Sequence, residues 1–190
     1  MKLLFTVSLL ITINLNAEIA LPDNFETDFN QTITNEKGKV IAYNGDVKFK
    51  NEKQILVNEL GEEQKISSKL FKWNYKSPTK KEVCSDGLQL IVVDHDLEQV
   101  SRYIIDEGLD LEEILKVAQK ITTKDYKAVY REVEYLISVD NKDQLKKIFY
   151  VDNLDNRVKI IFSNMQYNIK SFKDKELECD APKEYDVIEG

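Results

Sequence analysis

The apolar and polar positions along most of this chain alternate with a period of two residues, which predicts β-strands. The first such run follows Pro22 and places on one face Phe25, Thr27, Phe29, Gln31 and Ile33. Residues 35–39 form a predicted turn, and a second strand starts at Val40. Asn44-Gly45 interrupts that strand and predicts a bulge or kink.

The following segment is predicted as a short strand, Ile55-Leu56-Val57, between polar turns at residues 51–54 and 61–65. A clear alternation then places three aromatic residues on one face of a strand that Pro78 ends, because proline cannot donate to a strand ladder; they are Phe71, Trp73 and Tyr75. Ser85-Asp86-Gly87 predicts a tight turn. Further strands are predicted at residues 88–93 and 97–105.

A period close to 3.6 residues replaces the alternation in the middle of the chain. Asp110 with Glu113 forms a capping box. One apolar stripe follows at helical spacing and predicts an amphipathic helix over residues 110–121; it comprises Leu111, Ile114, Leu115, Ala118 and Ile121. This helix must cover another part of the protein.

Strand periodicity then resumes. Residues 129–139 are predicted as one strand with a shared apolar face, and strands at 145–151 and from Val158 onward follow, with Met165 opposite Val158. Strands joined by turns of about three to five residues must be antiparallel neighbours. The predicted fold is mainly β, a strongly curved antiparallel sheet with one amphipathic helix.

The N-terminus has the pattern of a cleavable signal peptide. Met1-Lys2 gives a positive start, residues 3–15 are almost wholly apolar, and Leu15-Asn16-Ala17 ends in a small residue. A core of about 13 residues is too short to span a bilayer. We therefore expect residues 1–17 to be removed and residues 18–190 to form one exported, soluble periplasmic domain; a buried N-terminal helix is the alternative.

Composition disfavours several functions. The formal net charge of −7 argues against binding to nucleic acid or residence on an anionic membrane. His95 is the sole histidine, and no catalytic, metal-binding or nucleotide-binding motif occurs. We expect no enzymatic activity, metal or cofactor. A small secreted hydrolase using His95 or a carboxylate stays as the enzyme alternative.

Cys84 and Cys179 are the only cysteines. In an oxidising compartment they form either one disulfide, closing a loop of about 95 residues, or two buried thiols. Sequence spacing does not decide between these alternatives. The aromatic face at residues 71–75 is similarly open to two interpretations, because it either fills an ordinary core or lines a cavity for an apolar ligand.

Several stretches, in order, resemble the outer-membrane lipoprotein carrier family (LolA). The matching motifs are Phe25-x-x-x-Phe29-x-Gln31, Gly45-x-Val47-x-Phe49, Phe71-x-Trp73-x-Tyr75-x-x-Pro78, Ser85-Asp86-Gly87, Leu97-x-Gln99-Val100 and Ala181-Pro182-x-x-x-Asp186-Val187-Ile188. The resemblance implies an incomplete, half-open barrel with a helical lid over an apolar cavity. It also implies a monomeric periplasmic chaperone for acylated lipoproteins.

The resemblance further implies an inner-membrane lipoprotein-releasing ABC transporter as a partner besides the cargo, and it leaves open whether an outer-membrane receptor is a second one. Candidate acyl-chain-binding residues are Phe29, Phe49, Phe71, Trp73, Tyr75, Ile91, Leu111, Ile114, Leu115 and Ala118. A related envelope lipid-binding or stress-sensing module on the same half-barrel is the alternative function.

Overall fold

The computed structural model describes residues 19, 21–57, 61–104, 111–170 and 172–189. Within them it contains twelve strands, one α-helix and one short 3-10 turn. The elements are β1 Asn24–Thr34, β2 Val40–Val57, β3 Glu63–Ser77, β4 Lys81–Asp86, β5 Gln89–Asp94, β6 Gln99–Ile104, α1 Leu111–Lys116, β7 Gln119–Lys120, β8 Asp125–Tyr130, β9 Val133–Val139, β10 Leu145–Val151, β11 Arg157–Tyr167, the 3-10 turn Asp174–Glu176 and β12 Asp186–Glu189. The predicted signal peptide and Asp110 lie outside the described residues.

All twelve strands belong to one open sheet, in the order β12-β6-β5-β4-β3-β2-β1-β11-β10-β9-β8-β7. Neighbours that follow each other in the chain are antiparallel, as their short connections require; β1 and β11 are also antiparallel, whereas β12 runs parallel to β6. The prediction of a mainly β protein built on an antiparallel sheet is confirmed. The half-open barrel and the lid stay predictions.

The predicted irregularity at Gly45 is present, because the β2–β3 register shifts between Asn44 and Gly45. A Cβ atom at Gly45 would lie 1.8 Å from the carbonyl oxygen of Asn74 and 2.8 Å from a ring carbon of Phe29. The backbones of β2 and β3 therefore approach each other so closely that only glycine fits there.

The predicted turns at residues 51–54 and 61–65 are wrong. Residues 51–54 continue β2, and β3 already starts at Glu63, so one long hairpin replaces the predicted short strand. Ladder pairing runs from Asn51 opposite Lys69 to Val57 opposite Glu63. Polar residues are tolerated throughout this part of the hairpin because much of it faces water.

The predicted helix is too long at its C-terminal end. α1 ends at Lys116, the amide of Ala118 donates to the carbonyl of Leu115, and residues 119–120 pair with β8 as a strand. β-branched residues at 121–123 disfavour helix. The amides of Ile121 and Thr122 instead donate to the carbonyl of Asp125, and the Ile121 side chain is exposed.

The single predicted strand over residues 129–139 is also wrong. Arg131 and Glu132 both have positive φ and form a two-residue hairpin turn between β8 and β9. This conformation matches strand twist but is usually occupied by asparagine or glycine, so the sequence gives no signal for it. Val129 is consequently exposed, whereas Tyr135 and Ile137 are buried.

Met165 packs against the same core as Val158, not on the opposite face as predicted. Asn164 has positive φ, and the β1–β11 register shifts between Glu26 and Asp28. An extra residue in one strand reverses the alternation beyond it.

Candidate functional site

Aromatic side chains from β1, β2, β3 and β11 meet on one face of the sheet. The centroid of the Phe29 ring lies 5.0 Å from that of Trp73 and 5.1 Å from that of Tyr75, and both pairs meet edge-on. The ring centroids of Trp73 and Phe162 are 6.3 Å apart. Phe25 stacks on Phe49 at 5.2 Å. Such ring pairs add about 0.5–1.5 kcal/mol each beyond the area they bury.

Helix α1 places its apolar side against this face. Ile114 and Leu115 are each 1% exposed and belong to the main core cluster, and Leu111 and Ala118 pack against it while partly buried. The interior contacted by the helix is therefore filled by side chains in this structure.

Two predicted site residues lie apart from this cluster. Phe71 pairs with Phe49 across β2 and β3 and shares its face, but it is not among the residues that form or pack against the cluster. Ile91 pairs with Cys84, which pairs with Lys72, so strand alternation puts it on the opposite face from Trp73. By this register, the candidate acyl-chain-binding residue Ile91 does not share a face with the aromatic cluster.

Sequence reasoning missed the other half of the interior. β8 to β11 contribute many of its most buried side chains, among them Ile137, Leu145, Ile148, Val158 and Ile160. The alternation from Val158 to Phe162 was a usable signal. On the β5 side, Leu90 and Val92 share the face of Trp73 by register and are half-buried.

Tyrosines line part of the same face. Burial, with smaller contributions from Tyr150 and Tyr43, raises the pKa of Tyr75 to about 12. Burial, then the neighbouring Tyr135 and Asp152, raises the pKa of Tyr150 to about 12. The phenols therefore stay neutral, which suits an apolar interior.

A cleft of about 250 Å³ lies at the edge of α1. Glu112, Leu115 and Lys116 of the helix form one side of it; the remaining lining residues are Ile19, Leu21, Pro22, Asp23, Phe49, Asn51 and Lys53. It is smaller than the roughly 300–1,000 Å³ of typical small-molecule sites.

One ion pair connects α1 to the sheet, and a second within the helix shares its carboxylate. Lys69 Nζ on β3 lies 3.3 Å from Glu112 Oε2, and Lys116 Nζ lies 3.1 Å from Glu112 Oε1. Partial burial raises the pKa of the Glu112 carboxyl, but hydrogen bonds and charge from Lys116 and Lys69 outweigh it and leave the pKa lowered. Glu112 is therefore ionised at neutral pH and attracts Lys69 across the helix–sheet boundary.

The C-terminal segment lies against the other face of the sheet. A disulfide joins Cys84 of β4 to Cys179, with 5.7 Å between their Cα atoms. Beside it, Glu82 accepts a hydrogen bond from the Asp180 amide at 2.7 Å and pairs with Lys72 at 3.0 Å. Of the two alternatives that the sequence left open, the structure contains the disulfide.

His95, the enzyme alternative's candidate base, is near the same segment. Its Nδ1 lies 3.2 Å from the Tyr185 hydroxyl and its Nε2 lies 3.9 Å from Glu82. Among the described residues, the one cluster of potential metal ligands is Glu82 with Cys84 and Cys179, whose two sulfurs are bonded to each other.

Comparison with known proteins agrees with the motif resemblance. The model of the family described as outer membrane lipoprotein carrier protein LolA matches residues 66–112. An outer-membrane lipoprotein carrier protein from Wolinella succinogenes is 30% identical over 145 residues, covering 76% of this chain and 75% of that protein. One from Campylobacter jejuni is 34% identical over 116 residues, covering 61% of this chain and 68% of that protein.

A solved structure supports the fold alone. The crystal structure of an uncharacterized conserved protein from Thermus thermophilus aligns with a TM-score of 0.50 at 9% identity, covering 90% of this chain and 92% of that one.

The fold and the site define a mainly β protein in which one open sheet presents an apolar, aromatic-rich face covered in part by a short helix. The identities to two carrier proteins over most of their length assign it more narrowly. The chain belongs to the outer-membrane lipoprotein carrier family, LolA.

Proposed function

We propose that this protein is a periplasmic chaperone that shelters the acyl chains of lipoproteins and has no enzymatic activity. It receives them from an inner-membrane lipoprotein-releasing ABC transporter and delivers them to the outer membrane. Residues 1–17 are the cleaved signal peptide, and residues 18–190 are one half-barrel domain with α1 as its lid. Among the described residues, no helix is long and apolar enough to cross a membrane.

The observation that carries this proposal is the packing of α1 against the aromatic face. Ile114 and Leu115 occupy apolar space that a cargo chain would need, and the adjoining cleft holds only about 250 Å³. Cargo binding therefore requires the helix to move. The structure corresponds to the empty, closed state in this proposal.

The energetics favour exchange of one apolar partner for another. Each CH₂ buried is worth roughly 0.8 kcal/mol, so several acyl chains represent tens of kcal/mol of exposure to water. A carrier needs an interior that matches the bilayer and a barrier to release. The apolar face that α1 leaves when acyl chains enter provides the interior. The movement of the α1 side chains provides the barrier.

The identity of the bound molecule tests the proposal. The mature protein purified from the periplasm, analysed by mass spectrometry, is expected to carry acylated peptides. Free lipid would favour the lipid-binding module instead. Absence of any apolar ligand, together with no uptake of an acylated peptide added in detergent micelles, would contradict the carrier function.

Loosening the helix–sheet ion pair should make loading easier. Glu112→Gln removes the attraction to Lys69, which is worth about 0.2–1 kcal/mol for a partly exposed pair. We therefore expect uptake of a fluorescent acylated peptide to accelerate by up to about fivefold, measured by stopped-flow fluorescence. Glu113→Gln is the matched control, because Glu113 pairs with Lys116 inside the helix; equal acceleration in both variants would contradict the assignment.

A further inference from the structure

The β2–β3 hairpin extends well beyond its neighbours in the sheet. β1 pairs with β2 only as far as Lys50, and β4 pairs with β3 only as far as Leu70. Within the described part of the chain, residues 51–57 and 63–69 form strand ladders with each other alone, over seven rungs. At about 3.4 Å per residue this two-stranded ribbon projects roughly 20 Å from the sheet.

The ribbon exposes apolar side chains on both of its faces. Ile55 is 57% and Val57 is 63% exposed on the face that Phe49 also shares, and Ile66 is 37% exposed on the other. Two polar rungs, which contain Asn51 and Lys53, separate Ile55 from Phe49. The apolar patch is therefore distinct from the interior.

The outer edges of the ribbon are also unpartnered. Among the described residues, no strand pairs with the free edges of 54–57 or 63–67. Isolated two-stranded ribbons are marginal in water, and an exposed edge with apolar side chains invites pairing with another chain. Such a feature is tolerated where a partner covers it.

We propose that this ribbon is a docking arm for a protein partner, which adds an extended segment with apolar and basic side chains to one free edge. A protein segment satisfies the unpaired backbone groups, whereas lipid chains cannot hydrogen-bond to them. Over residues 51–69 the acidic residues Glu52, Glu59, Glu62 and Glu63 outnumber the basic residues Lys53, Lys65 and Lys69, and three of the acidic residues fall around the hairpin connection. That charge complements a basic partner and disfavours both an anionic bilayer and a second copy of this acidic chain.

The base of the arm is connected to the candidate site. Lys53 pairs with Asp23 at 2.6 Å, and Lys69 pairs with Glu112 of α1. A partner bound to the ribbon is therefore connected to helix α1 through the Lys69–Glu112 ion pair. Placing that partner in the envelope membranes rests on the proposed function.

Binding to native envelope membranes tests the arm. The mature protein, residues 18–190, is titrated with membrane vesicles that keep their proteins, with protease-shaved vesicles, and with vesicles of the extracted lipids. We expect binding to the first preparation only. Ile55→Thr combined with Val57→Thr keeps β-branched residues in the strand and is expected to weaken binding at least tenfold.

Val40→Thr combined with Val129→Thr is the matched control, because these valines are 58% and 60% exposed elsewhere on the sheet. Unchanged membrane binding by the ribbon variant, equal loss in both double variants, or equal binding to lipid vesicles would overturn the proposal. So would a concentration-dependent dimer that only the ribbon variant abolishes. Acylated-peptide binding should survive in the ribbon variant, so failure of the carrier function is detected separately.

Discussion

Leu115→Glu is expected to abolish binding of acylated peptides while the sheet stays folded. Leu115 is 1% exposed in an apolar cluster, and an unpaired carboxylate there costs several kcal/mol. In this variant, releasing the helix exposes chiefly Ile114, at about 1.5–3 kcal/mol for that side chain. Because this release costs no more than burying the carboxylate and the strand ladders do not depend on the helix, we expect α1 to leave the face.

Peptide binding by fluorescence titration and β-sheet content by far-ultraviolet circular dichroism together check this result. Val117→Glu introduces the same charge at a position that is 46% exposed just after α1, and it should bind normally. Unchanged binding by Leu115→Glu would remove the helix from the site. Loss of the sheet signal in Leu115→Glu alone would show that α1 is part of a permanent core.

Alternation predicted the parts of the fold where one face is buried and the other is wet. β1 has that burial pattern, the 71–75 part of β3 alternates in sequence although all five residues are half-buried, and the conformational demands of glycine identified the irregularity at Gly45. The same rule fails along the β2–β3 ribbon, because polar residues in a strand exposed on both faces resemble a turn. No local feature of the sequence distinguishes such an exposed strand from a turn.

A uniform apolar run explains why the face occupied by Ile91 could not be predicted. Leu90-Ile91-Val92-Val93 has no polar residue to mark a face, so the phase of the strand could not be read. The structure directs Leu90 and Val92 to the face of Trp73, and it directs Ile91 and the fully buried Val93 to the face beneath the C-terminal segment. That second buried face depends on a contact between residues far apart in sequence.

Helix length was misjudged for a related reason. Capping and apolar spacing favoured a helix to Ile121, but the backbone of residues 119–120 pairs with β8. Pairing with a strand later in the chain is a tertiary effect that local propensity does not contain.

Removing the disulfide should produce the largest loss of stability. The bond connects positions 95 residues apart, and closing a loop of that size in the unfolded chain contributes up to about 4–5 kcal/mol in the chain-entropy model. It also holds the C-terminal segment over buried Val93 and Val100, beside the Lys72–Glu82 ion pair. We therefore expect Cys84→Ala with Cys179→Ala to lower the free energy of unfolding by about 2–5 kcal/mol.

Urea denaturation at fixed protein concentration measures the change by linear extrapolation. Wild-type protein in excess dithiothreitol should lose a similar amount of stability, whereas the double alanine variant should be insensitive to the reductant, which separates loss of the bond from loss of side-chain packing at buried Cys84. A difference below about 1 kcal/mol between oxidised and reduced wild type would mean that Lys72, Glu82 and the β6–β12 pairing hold the C-terminal segment without covalent help.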